Sequence, residues 1–317
     1  MKGFEERWVD LPDFILGITK EIWEDRGLGP KIRQYYGKNV IVRTPGGISI
    51  GDDATVASTV ATLQEFPDRQ LFGEDVIWSG SPETGMLSSH RILSMATHVG
   101  SGFFGIATGK PVNYRVIADC YAKNNMITDE WLVRDNGAIV RQIGHDPRAW
   151  AAVKVAEGTQ AFTPDQNIKG PYSGKGNKNE WGLKLGNILS VLMKGEFSVV
   201  SAEYDRACHL EYTGGITRHG HAEADKFWMG LRASFPNAEF SIEHQIGIFE
   251  PFMSPRAAIR WTLNGKHEGW GAFGAPTNAP ISIMGITHAE FGPYGLRREY
   301  TLYDEAAVWM QISAHSG

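Results

Sequence analysis

Apolar and polar positions follow two rhythms along this chain, and each rhythm occurs twice. FILGITKEIWEDR, residues 14–26, spaces its apolar residues as a helix face does, and WGLKLGNILSVLMK, residues 181–194, repeats the pattern. Asp52 or Asp53 is placed to cap a further helix ending at Phe66-Pro67, with HAEADKFWMGLRASFP as its second copy. Strand-like runs follow in the first half: QLFGEDVIWSG, SSHRILSMATH, PVNYRVIADCYAK and MITDEWLV. RDNGAIVRQIG then closes that half as a helix. Helices first and strands afterwards predict an α+β fold, a curved antiparallel sheet packed on helices.

The halves align with each other. Phe66-Pro67 recurs as Phe235-Pro236, and His98 recurs as His267 at the same offset. In that frame HVGSGFFGIATGKPV lies over HEGWGAFGAPTNAPI, and EWLVRDNGAIVRQI over EYTLYDEAAVWMQI. RTPGGI matches EYTGGI after a one-residue shift. The expected organisation is a tandem repeat: a first domain at 1–157, a linker at 158–180 and a second domain at 181–317. The linker, rich in Gly, Pro, Asn and Lys, has no period and reads as extended.

Gly100, Gly102 and Gly105 spell the dinucleotide fingerprint, but a strand follows them where that motif needs a helix. Lys110 precedes Pro rather than Ser or Thr, so a phosphate loop does not fit either. The glycines instead predict a sharply bent strand connection.

The chain has 317 residues with net charge -5, which gives no electrostatic reason to expect nucleic acid or an anionic membrane as partner. Cys120 and Cys208 match no disulfide framework and no metal spacing. His219 and His221, with His209 nearby, form a His-Gly-His on a loop that lacks a fixed face and a clear third ligand, so no metal is expected. The acidic N-terminus and the lack of a long apolar run predict a cytoplasmic protein.

HVGSGFFGIATGKPV resembles the H-x-G-x-F-x-G-x-x-x-T-G-x-x-V signature of SnoaL-like polyketide cyclases, and ITDEWLVRDNGAIVRQIG resembles their closing strand and helix. The resemblance covers roughly residues 12–144 and 181–312. It implies two cone-shaped α+β barrels of the ketosteroid isomerase superfamily, each with a pocket between sheet and helices. It also implies a pseudo-dimer within one chain, with room for a homo-oligomer, and a small-molecule substrate. The chemistry implied is acid/base work beside a carbonyl, with no metal or cofactor. The family's catalytic Asp position corresponds to Leu132 and Thr301, neither of which moves a proton at neutral pH.

Candidate proton carriers remain. Glu130 and its copy Glu299 share a strand face with those two positions. Asp119 and His288 are equivalent positions on the preceding strand, although parity can turn Asp119 away from a cavity. His98 and His267 sit just before the bent connection, where a histidine either reacts or holds the turn. Asp135 and Asp304 read as helix caps. The leading expectation is a cofactor-independent cyclase or isomerase acting on a mostly apolar carbonyl or hydroxyl compound, with the first half at work. A non-catalytic binding module and a hydrolase or dehydratase are the alternatives.

Overall fold

The computed structural model describes residues 1–316. Helix α1 (Leu11–Thr19) starts at Asp10, whose carboxylate accepts from the amide of Asp13, and it buries Leu11, Phe14, Ile15 and Ile18. A π-helical turn (Lys20–Glu24) and α2 (Leu28–Tyr35) lead into β1 (Tyr36–Thr44) and β2 (Gly47–Ile50). Then come α3 (Asp52–Glu65), β3 (Gln70–Ser81), β4 (Gly85–Thr97), β5 (Pro111–Lys123), β6 (Met126–Arg134) and α4 (Asn136–Ile143). After an extra helix, α5 (Pro147–Ala156), the same series returns. It comprises α6 (Glu180–Met193), α7 (Ser198–Glu203), β7 (Tyr204–Tyr212), β8 (Ile216–His219), α8 (His221–Ser234), β9 (Glu239–Ile248), β10 (Arg256–Lys266), β11 (Pro280–Gly292), β12 (Gly295–Tyr303) and α9 (Glu305–Ser316). No helix among the described residues is long and apolar enough to cross a membrane.

The six-stranded sheets have the orders β2-β1-β6-β5-β4-β3 and β8-β7-β12-β11-β10-β9. The halves are therefore two copies of one α+β fold. One expectation needs correcting: β1 runs parallel to β6, and β7 to β12, so each sheet is mixed. Hairpins fix β6 antiparallel to β5, and the long return through α3 and β3–β5 brings the chain back to the end where β1 began. The cap of α3 also differs. Gly51, at φ 97°, takes the N-cap place, and Asp52 and Asp53 occupy the first turn. The chain enters this helix through a left-handed conformation that glycine accepts at least cost, and Gly220 repeats it at φ 81°.

The glycine stretch is a bent connection between β4 and β5, docked on the end of α3. A Cβ at Gly100 would stand 1.9 Å from the carbonyl oxygen of Gln64, and one at Gly102 would meet the Glu65 carboxylate at 2.2 Å. That carboxylate accepts from the amides of Phe103 and Phe104, at 3.1 Å for the latter. The glycines serve close backbone approach, with no helix behind them.

The two sheets pack face to face. Ile117 and Val133 meet Ile286 and Leu302, while Ile77 and Leu87 meet Ile246 and Ala258. Among these apolar contacts, Arg260 donates to Asp119 at 2.7 Å and lies 3.8 Å over the Trp131 ring. The pseudo-twofold mate of this cluster is Arg91, 3.4 Å over Tyr300 and 3.2 Å from His288 Nδ1. His288 Nε2 is 2.8 Å from Ser89 Oγ. Since an arginine can only donate, His288 Nδ1 is the acceptor and Nε2 carries the proton.

Further contacts cross the boundary. The Asp135 carboxylate caps α4 and also accepts from the amides of Gly214 and Gly215, at 2.8 and 2.9 Å. Asn136 donates to Asp304, the first residue before α9, at 2.6 Å. Helix α5 packs along α9, and its Trp150 stacks on Phe104 of the first half within a core that both halves share. The expected linker is docked along both halves. Arg43 holds Asn167 and Ile168, the Tyr172 amide donates to Asp129 at 3.0 Å, and the Tyr172 hydroxyl lies 2.7 Å from His244.

Asp119→Ala strands a buried guanidinium and is expected to cost about 3–5 kcal/mol. The double change Asp119→Leu, Arg260→Met removes both charges and should cost far less. Urea unfolding measures both, and equal losses would show that the ion pair is not the source of the effect.

Candidate active site

The free face of the first sheet, roofed by α1 and α3, encloses a cavity of about 490 Å³. This volume suits a small organic ligand. Strand register orders the cavity floor into rungs running from β4 through β5 to β6. Ser88, Cys120 and Glu130 form one rung, His90, Ala118 and Leu132 the next, and Ile92, Val116 and Arg134 the third. Helix α3 turns Thr55, Ser58, Thr59 and Thr62 to the cavity, while α1 adds Ile15 and Ile18.

Glu130 is the acid on this floor. Burial raises its pKa to about 7, and the neighbouring Tyr36 hydroxyl acts the other way by favouring the carboxylate. Across the floor, burial lowers His90 to about 4, so its imidazole is neutral. His90 Nδ1 is 3.2 Å from Ser88 Oγ. If that hydroxyl donates, the imidazole proton sits on Nε2, where it can donate to a ligand oxygen. Burial raises the Cys120 thiol well above its ordinary range, which leaves it protonated beside them.

In the second domain side chains fill the corresponding space. Ala224, Phe227, Trp228 and Leu231 on α8 stand where α3 carries Thr55, Ser58, Thr59 and Thr62. Trp261 replaces Ile92, and it fits because its rung partner is Gly285, where a Cβ would meet the indole at 2.1 Å. Tyr212 and Phe227 stack with ring centroids 3.7 Å apart, filling the remaining space. Glu299 is sealed beneath these rings. It accepts from Tyr204 at 2.8 Å, Tyr212 at 3.2 Å and Thr301 at 2.6 Å.

The six sequence candidates thus separate into three places. Glu130 lines the cavity, whereas Glu299 is buried and saturated with hydrogen bonds. Asp119 and His288 face the sheet interface, because residues 117, 119 and 121 alternate with the cavity-facing 116, 118 and 120. His98 and His267 hold their turns. Each Nδ1 is 3.1 Å from a threonine hydroxyl, Thr108 or Thr277, and each backbone carbonyl accepts two loop amides. The structure adds Tyr36, His90, Arg69 and Arg134, which sequence reasoning did not select. The period-two pattern of SSHRILS carried a signal for His90, but serine and histidine on one face and serine and arginine on the other left neither face apolar.

No protein-family model matches the chain, and no curated protein matches it. Solved structures are similar to about half of it. One is AclR, described as a candidate hydroxylase from Streptomyces galilaeus, at 17% identity over 42% of this chain and 94% of that one, with TM-score 0.37. IdmH, described as a candidate polyketide cyclase from Streptomyces antibioticus, matches at 18% identity over 42% and 97%, with TM-score 0.36. A candidate SnoaL-like polyketide cyclase from Jannaschia sp. CCS1 matches at 16% identity over 44% and 97%, with TM-score 0.37.

The raised pKa of Glu130 sets a stability test. Between pH 4.5 and about 7 the folded chain keeps a proton that the unfolded chain releases, so this group's contribution to stability falls as pH rises. Glu130→Gln removes that penalty. The variant should be more stable than the parent at pH 8, by up to ~3 kcal/mol, with the difference fading toward pH 4. Chemical denaturation at the two pH values checks this, and a pH-independent difference would refute the raised pKa.

Proposed function

We propose that the first domain is a cofactor-independent enzyme that moves a proton beside a carbonyl or hydroxyl group of a small, largely apolar compound. The observation that carries this reading is the Glu130 carboxyl group, poised near neutrality on the floor of an open cavity. Asp304, the other acid in the lining, is raised to about 7 too, but its oxygens are taken by Asn136 and the first amides of α9. A base is most useful when its pKa lies near the working pH.

In the proposed step the Glu130 carboxylate takes a proton from the carbon next to the carbonyl. The electron pair moves onto the carbonyl oxygen, and the resulting enolate accepts a hydrogen bond from neutral His90. Where the compound carries a β,γ double bond, the enolate extends to the γ-carbon. The carboxylic acid returns its proton there, moving the double bond to the α,β position and completing an isomerisation. Leu132 occupies the position of the family's catalytic Asp, which disfavours the standard aldol cyclisation and favours a reaction needing one carboxyl group. A dehydratase would use the same first step and expel hydroxide from the neighbouring carbon. The second domain, with Glu299 sealed under aromatic rings, serves as the packing partner.

Deuterium exchange at the α-carbon of a ketone such as β-tetralone in D2O, followed by NMR, measures the proposed step without knowledge of the natural product. The rate per bound ketone should rise through about pH 7 and level off above it. Glu130→Gln should lower it by ~10²- to 10⁴-fold. Glu299→Gln should leave it nearly unchanged. Full activity in Glu130→Gln with loss in Glu299→Gln would assign the chemistry to the wrong domain.

A further inference from the structure

The end of the cavity away from Glu130 holds two positive charges with no counter-charge. Arg134 closes β6 on the same face as Glu130, four residues on, which places their Cα atoms about 13 Å apart. Arg69 enters from the turn after α3 and also lines the cavity. The Nε atoms of both arginines are buried without a hydrogen-bond partner. Neither guanidinium enters an ion pair among the described residues.

Other arginines buried in this protein have partners: Arg260 has Asp119, Arg43 has Asp129, and Arg91 has Glu74. The acid nearest this end of the cavity, Asp304, is occupied by the first amides of α9 and by Asn136. Two cations side by side in a half-buried pocket are unfavourable unless an anion is to join them. The second domain carries Ala238 in place of Arg69 and Tyr303 in place of Arg134, so the pair accompanies the open cavity alone.

We propose that the ligand of the first domain is an elongated, flat carboxylate whose anionic end lies between Arg69 and Arg134, with its apolar body running along the floor toward Glu130. Two planar guanidinium forks match the two oxygens of a carboxylate. Ala118, Leu132, Val116 and Ile92 between the two ends offer apolar contact, which suits a ring system. This deepens the reading of Glu130 as a base and rests on it only for the placement of the reacting carbon.

Equilibrium dialysis with a matched pair of tricyclic probes tests the subsite without turnover, so an error about Glu130 leaves the measurement intact. Rhein carries a carboxylate where aloe-emodin carries a neutral carbinol. At pH 7 rhein should bind at least about tenfold more tightly. Arg69→Met and Arg134→Met should each weaken rhein by about tenfold and leave aloe-emodin unchanged. Arg134→Lys should keep part of the preference, which separates loss of charge from loss of fold. Equal affinity for the two probes, a rhein preference that survives in the double Met variant, or no rhein binding at millimolar concentration would each overturn the proposal.

Discussion

The packing of one sheet against the other governs how this molecule distributes its chemistry. Each sheet is covered on both faces, by helices and cavity on one side and by the sister sheet on the other. Side chains on successive residues therefore enter different worlds. Asp119 and Glu130 are close in the fold yet face opposite ways, one to Arg260 and the other to the cavity. The buried Arg260, held by Asp119 and the face of Trp131, fixes the register of the contact, as Arg91 does with His288 and Tyr300. Were that register to slip, the floor that orders Glu130, His90 and Arg134 would shift with it.

The same scaffold supports one open and one filled interior. The difference comes from a small set of exchanges: hydroxyls on α3 for aromatics on α8, isoleucine for Trp261, and valine for Gly285. The filled half gains apolar burial and aromatic contacts, with Trp228 and Trp261 fully buried. The open half gives these up, and leaves buried polar atoms without partners around a space large enough for a ligand. Stability and ligand capacity are thus divided between the copies.

Much of the fold was legible because the chain says it twice. The matched glycines, the Phe-Pro pairs and the closing helices set the repeat and the order of elements, and the glycine stretch was readable from the strand after it. The parallel pairing of β1 with β6 was not legible, since hydrophobic alternation carries no strand direction. Glu130 could be found from alternation on a strand with a clear end. His90 and Arg69 could not, because β4 is buried on both faces and carries polar residues on each, and because Arg69 reaches the site from a turn. The plug in the second domain becomes visible only when the inward face of α8 is known.

Covalent fusion gives this pair of domains a freedom that a homodimer lacks. In a symmetric dimer one codon specifies both interiors, so a tryptophan that stiffens one subunit also closes its twin. Here Trp261 enters a single copy. The Gly-rich segment laid across Gln245 and the crossing of α5 onto α9 keep the unlike partners matched at any dilution. Broken symmetry of this kind lets one copy be selected for rigidity and the other for what it admits.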